Sequence, residues 1–258
     1  MSIALSTGQL EAWVAQAFFP FVRIGACLMV APMFGARFVP TRTRAVLAVA
    51  LTALVVPLLP APTIAPFSGA GFVVVAQQLL IGISMGFALQ IAFDALGLAG
   101  QLLANSMGLS FAFNVDPLRG SSTAALGQLY IILATLTFLA LGGHLALIQV
   151  LVDSLYSMPV GTSGLPAEGL WAIVLWGGQL FSGAISIALP GVTALLIVNL
   201  AFGVMSRAAP SLNLFAVGFP ISLVVGFVIV LASVGPLQEG IAGLIGQGLA
   251  FVRQLVGA

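Results

Sequence analysis

Long apolar runs, parted only by prolines and a few charges, occupy most of this chain. Each approaches or exceeds the roughly 20 residues a helix needs to cross a bilayer. The 258 residues include seven arginines, six acids and no lysine, and 61% of them are hydrophobic. An ordinary soluble chain carries about a quarter of its residues charged. Here the share is 5%, too little polar surface to clothe a soluble globule, and mean hydropathy is +1.23. A soluble enzyme, a nucleic-acid binder and a disordered linker are excluded, which leaves an integral membrane protein. The net charge of +1 supplies no field to draw nucleic acid. Cys27, the single cysteine, cannot form an internal disulfide. Met1 to Trp13 carry Glu11 and no positive region, so the first apolar run is expected to stay inserted rather than act as a cleaved leader.

Six spans are expected: about Ala12 to Phe34, Ala45 to Leu59, Gly71 towards Ser110, Ala124 to Val152, Leu170 to Met205, and Leu214 to Val234. None shows the ten-residue alternation of a membrane barrel, and backbone satisfaction in lipid then requires helices. The fold class is all-α: a polytopic helical membrane protein with about six long, kinked hydrophobic helices. The third and fifth runs exceed one crossing, which predicts tilt, a kink at Pro190 or breaks into half-helices. A last, weakly apolar segment from Ile241 to Val256 is short for a span. Arginines fall in alternate connections: Arg37, Arg42 and Arg44 in the first, Arg119 in the third, Arg207 in the fifth. These loops are expected to be cytoplasmic and the N-terminus on the other side. Arg253 breaks the pattern if the tail stays outside.

Catalytic constellations are missing. Gly161-Thr162-Ser163-Gly164 matches the GxSG string of intramembrane serine proteases, but such a serine needs a histidine base. His144, the one histidine, precedes it, and the string lies in a proline-bounded polar loop. No HExxH, no paired His/Cys ligands and no phosphate loop occur. No enzyme, metal or cofactor is expected.

The most deeply embedded charges are Arg23 and Asp94, each costly at a bilayer centre without a partner. They read as an intramembrane ion pair, within the chain or with another subunit. Alternatively Arg23 snorkels and Asp94 sits at a helix end, or Asp94 is the coupling site of a transporter. From Asn105 to Ser122 helical periodicity is lost and Asp116-Pro117 marks a turn, yet Met107, Leu109, Phe111 and Phe113 are too apolar for a solvated loop. Two readings fit: a re-entrant loop closing a pore, with methionine as soft filler and phenylalanines as plug, or an interfacial loop resting its aromatics among headgroups. Between Arg207 and Pro220, Pro210 ends one helix and Asn213 can cap the next. This is either an ordinary tight connection or a hairpin tip meeting other tips at a cytoplasmic entrance. Gly82 with Gly86, Ser182 with Ser186, and Ala184 with Ala188 are small-residue pairs at helical spacing that allow close approach of helices.

Four stretches carry a resemblance: Phe21-Val-Arg-Ile-Gly-Ala-Cys-Leu-Met-Val-Ala-Pro-Met-Phe-Gly35; Met107-Gly-Leu-Ser-Phe111 followed by Asp116-Pro117; Gly143-His-Leu145; and Arg207-Ala-Ala-Pro-Ser-Leu-Asn-Leu-Phe-Ala-Val-Gly-Phe-Pro220. In this order, over nearly the whole length, the chain resembles the FliR family of flagellar export-gate subunits. Ser211 stands where glutamine is commoner. The resemblance implies a single integral membrane domain over 1–258. Within it, residues 1–168 would be FliP-like with a plug loop at 105–122, residues 169–235 a FliQ-like hairpin, and 236–258 a C-terminal tail. It implies one copy assembled with FliP-type and FliQ-type subunits, beside FlhB-type and FlhA-type export components, in the bacterial inner membrane at the flagellar basal body. Unfolded flagellar proteins would be its cargo. Met107, Leu109, Phe111, Phe113, Asp116 and Pro117 match the family's plug, and Arg207, Pro210, Asn213 and Phe215 its cytoplasmic gate hairpin. The alternative is a self-sufficient secondary transporter coupled through Asp94, which predicts matched broken helices in two internal repeats.

Overall fold

The computed structural model describes residues 7–36, 38–62, 64–109, 125–161, 164–208 and 214–257. Among these, nine α-helices follow one another without a strand. They are α1 (Thr7–Val30), α2 (Thr41–Val55, continued by a 3-10 turn Val56–Leu58), α3 (Gly69–Ser106), α4 (Ala125–Ala140), α5 (Gly143–Ser157), α6 (Ala167–Trp176), α7 (Gln179–Ala208), α8 (Leu214–Ala232) and α9 (Val234–Val256). The all-α, polytopic class read from hydropathy is the one found. Four stretches are long and apolar enough to cross a bilayer singly, and the count reaches six when the bent pairs α4–α5 and α8–α9 each make one crossing.

The breaks follow backbone chemistry. The third run stays whole: α3 has 38 residues, about 57 Å at 1.5 Å per residue, nearly twice a hydrocarbon core of about 30 Å. The fifth run breaks at Gly177-Gly178, while Pro190 remains inside α7. A proline within a helix forfeits one hydrogen bond, whereas paired glycines remove the side chains that hold a turn together. The fourth run is interrupted before α5 by Gly142, at φ 69, a left-handed conformation that suits glycine. The stretch read as a tail joins a helix of 23 residues, α9, bent by 63° from α8.

The chain forms two compact units, one of Met1–Ile91, Gly142–Gly177 and Gly246–Ala258, the other of Ala92–Leu141 and Gly178–Ile245. In the first, α1 lies on α2 and α3, with Phe19, Ile24, Leu28 and Met85 fully buried. Gly82 and Gly86 are the notches of that contact. A Cβ on Gly82 would stand 2.9 Å from Ala26 Cβ, and one on Gly86 2.7 Å from the Cys27 carbonyl. The Gly82–Gly86 pair therefore serves packing within the chain. Trp176 stacks on Phe251 at 4.4 Å and donates its indole N–H to Ala88 O at 2.8 Å.

In the second unit α3 crosses α4 at Gly100, where a Cβ would meet Leu126 O at 2.6 Å. Phe93 and Phe138 pack edge to face, 5.5 Å apart. α7 and α8 form an antiparallel hairpin; Ala184 and Ala188 are buried and Ser182 and Ser186 face outward. Hydroxyls bond their own helices, as Thr52 does to Ala48 O, Thr135 to Ile131 O, Ser186 to Ser182 O and Ser233 to Ile229 O. That is the local solution where water is scarce. The outer faces stay apolar: only 11% of the most apolar stretch of Ala167–Met205 is buried within the chain, against 50% for Gly69–Ser106.

Gly86→Leu should wedge α1 away from α3 and cost about 1–3 kcal/mol, the usual range for overpacking. A lower thermal midpoint of the detergent-solubilised protein would register this. Gly25→Ala, where nothing lies within 4 Å of the added Cβ, should not lower it.

Candidate functional site

Arg23 has 0% of its surface exposed. Its Nε donates to Gln78 Oε1 at 2.7 Å, Nη1 to Ser154 O at 2.5 Å and Ser154 Oγ at 3.2 Å, and Nη2 to Met158 O at 2.7 Å. Every one of these acceptors is neutral. Ser154 and Met158 lie at the C-terminal end of α5, the negative end of the helix dipole, and Ser154 O also accepts the Met158 N–H at 3.0 Å. The guanidinium is thus countered by a helix terminus. The bond to Arg23 fixes the Gln78 amide with oxygen inward, and Gln78 Nε2 is buried without a partner among the described residues.

Seven residues before Arg23, and so on the same face of α1, Gln16 Nε2 donates to Leu59 O at 2.9 Å and Val56 O at 3.3 Å. α1 therefore caps two helix ends with two side chains. Between them opens a cavity of about 160 Å³ bordered by Gln16, Pro20, Leu59, Pro60, Leu155 and Pro159. Asp94 stands exposed on α3 with an interaction of its own.

The loss of periodicity after Asn105 is a helix stop. Gly108 adopts φ 78, Leu109 N–H bonds Ala104 O and Gly108 N–H bonds Asn105 O, both at 3.0 Å, a left-handed cap of Schellman type. Met107 is fully buried and Leu109 half-buried. Phe111, Phe113, Asp116 and Pro117 lie outside the described residues, as do Pro210 and Asn213. Arg207 is exposed in the last turn of α7, where a cation suits the helix dipole; Phe215 belongs to α8, with its side chain outside the described set. Thr162 and Ser163 of the GxSG string are likewise outside it, and His144 is half-buried on α5. Among the described residues no three His, Cys, Asp or Glu side chains gather as a metal site would require.

The sequence marks Arg23 but none of its partners. Gln78, a polar residue inside the apolar run of α3, was the available signal. Ser154 gave none, because its use depends on where α5 ends.

A buried cation held by helix carbonyls, hydroxyls bonded back into their helices and apolar outer faces define a helical membrane protein whose surface is completed by lipid or by other helices. Residues 14–248 match the family described as bacterial export proteins, family 1. The chain is 42% identical over 214 residues to the flagellar biosynthetic protein FliR of Pectobacterium carotovorum subsp. carotovorum, covering 83% of this chain and 82% of that protein. It is 37% identical over 235 residues to the protein of the same name from Escherichia coli strain K12, covering 91% and 90%, and 32% identical over 215 residues to that of Aquifex aeolicus, covering 83% of each. The chain belongs to this export family and, within it, to the FliR family.

Arg23→Met should leave the Ser154 and Met158 carbonyls without their charged donor and cost about 3 kcal/mol, the scale of one or two hydrogen bonds to a charged group. Arg23→Lys should recover only part, since an ammonium lacks the fork that spans acceptors on two elements. Membrane-accumulated protein and its thermal midpoint in detergent should both rank wild type, Lys, Met.

Proposed function

We propose that this chain is a subunit of the flagellar type III export gate in the bacterial inner membrane. There it forms, with FliP-type and FliQ-type partners, the channel through which unfolded export substrates leave the cytoplasm. Membership of the export family across residues 14–248 is the observation that carries this reading. The unsatisfied apolar faces of α6 to α8 support it, since patches so extensive mark contact with lipid or protein. In this reading residues 1–168 are the FliP-like part, 169–235 the FliQ-like hairpin and 236–258 the tail. FlhB-type and FlhA-type components supply the rest of the machinery and the driving energy, and the chain carries no catalytic chemistry of its own.

The resting channel must hold back ions against a membrane potential worth about 2.3 kcal/mol per charge per 100 mV. Apolar constrictions do this by excluding water. Pliable methionine and phenylalanine side chains can close such a constriction and part around a moving polypeptide. The 105–122 segment is assigned this plug role and the Arg207–Phe215 hairpin tip the cytoplasmic gate.

Replacing Phe111 and Phe113 together with glycine should make the resting assembly leak small ions. Conductance and secretion both at wild-type levels would remove the plug assignment. Purified alone, the chain should aggregate or be degraded, and co-production with FliP-type and FliQ-type subunits should rescue it. A chain stable by itself that binds a small solute would instead support a transporter coupled through Asp94.

A further inference from the structure

The end of α3 is seated in the α7–α8 hairpin by a joint that family membership does not assign. Leu103 in the last turn of α3 and Met107, the residue after that helix and one turn further on, are 3% and 0% exposed. Each fills a place where the hairpin has no side chain. A Cβ on Gly191 of α7 would stand 2.6 Å from Leu103 Cδ1. A Cβ on Gly226 of α8 would stand 2.5 Å from both Cγ and Cε of Met107 and 2.7 Å from its sulfur. Neither glycine has a positive φ. Glycine inside a helix is about 1 kcal/mol worse than alanine, so the backbone offers no reason for glycine at these positions and the two knobs do.

A polar clasp lies beside the notches. Asn199 Nδ2 of α7 donates to Ser106 O at 3.3 Å, one of the carbonyls left over at the end of α3. Ser222 Oγ of α8, one turn before Gly226, donates to Asn199 Oδ1 at 2.9 Å. Two steric fits and a two-bond relay thus converge on the five residues 103–107.

We infer that Gly191, Gly226 and Asn199 are positioning residues that seat the end of α3 in the hairpin and thereby hold the resting, ion-tight arrangement of the export channel. This rests on the gate reading above. Three atoms of Met107, Cγ, Sδ and Cε, lie within 2.7 Å of the Cβ that Gly226→Ala adds, so the whole side chain must leave the notch or the end of α3 must shift. A filled notch biases the joint away from its seated state.

The test uses the whole complex in its native membrane. Ion leak at rest, substrate secretion and the membrane level of the subunit are measured for Gly226→Ala, Gly191→Ala and Asn199→Leu. At unchanged level, leak should rise about tenfold for each glycine variant, the factor that roughly 1.4 kcal/mol of overpacking produces. Shortening the knob should undo part of this: Met107→Ala combined with Gly226→Ala, and Leu103→Ala with Gly191→Ala, should each leak less than the glycine variant alone. A general loss of packing would instead add to the leak. Asn199 is exposed, so Asn199→Leu should accumulate normally and decide the matter if the glycine variants do not. Wild-type leak in all three, or double variants that leak more than the singles, overturns the inference. The Phe111/Phe113 glycine variant, run in parallel, separates the two proposals. If it leaks and the joint variants do not, only the joint falls; if no variant leaks, the gate reading falls with it.

Discussion

Satisfying polar groups without water is the constraint on which the rest of this structure depends. Arg23 shows it most sharply. A cation in apolar surroundings is expensive unless every donor has somewhere to point, and four hydrogen bonds to neutral oxygens supply that here. Because two of those oxygens are carbonyls at the end of α5, and Met158 O lies beyond its last turn, one side chain answers two deficits together: its own charge and a terminal carbonyl. The consequence is architectural. α1 cannot shift along α3 or α5 without exposing both.

The same accounting explains why Gln16 matters beyond its size. The segment after α2 is crowded with prolines, Pro57, Pro60 and Pro62, and prolines have no N–H with which to cap the carbonyls before them. Val56 O takes the Leu59 N–H at 3.1 Å and shares Gln16 Nε2, whereas the donor for Leu59 O comes from another element. Several serines and threonines meet their needs locally instead, by bonding one turn back, as Thr52, Thr135 and Ser186 do. Long polar side chains on α1 tie elements together, while many short ones are neutralised where they stand.

Much of this was legible in the sequence and some was not, for identifiable reasons. Helix class and the presence of helices long and apolar enough to cross followed from hydropathy, because lipid leaves few alternatives. The Gly82–Gly86 contact followed from spacing. The place of the break in the fifth run did not: Pro190 is the stronger signal along the chain, yet the helix is interrupted at Gly177-Gly178. Nor did the partners of Arg23, which belong to helices far away in sequence; a charge embedded in an apolar run announces that it needs acceptors without saying which. The stop after Asn105 was visible as lost periodicity, but its cause, a left-handed Gly108, is a matter of one dihedral angle.

Glycine divides into three physical roles here, and composition cannot separate them. Gly108 and Gly142 adopt positive φ. Gly82, Gly86, Gly100, Gly191 and Gly226 are absences that another group fills. Gly243 and Gly246 on α9 have neither a positive φ nor an atom within 4 Å of a built Cβ. The second role shapes how the chain responds to change. A helix contact built from a notch and a knob gives little slack: a methyl added at Gly82, Gly86 or Gly100 meets backbone, and one at Gly191 or Gly226 meets the side chain seated there. Well-packed interiors amplify small local changes for this reason. A membrane protein that must be tight at rest and able to part gains from joints of this kind, because a few ångströms of displacement at one of them separate whole helices.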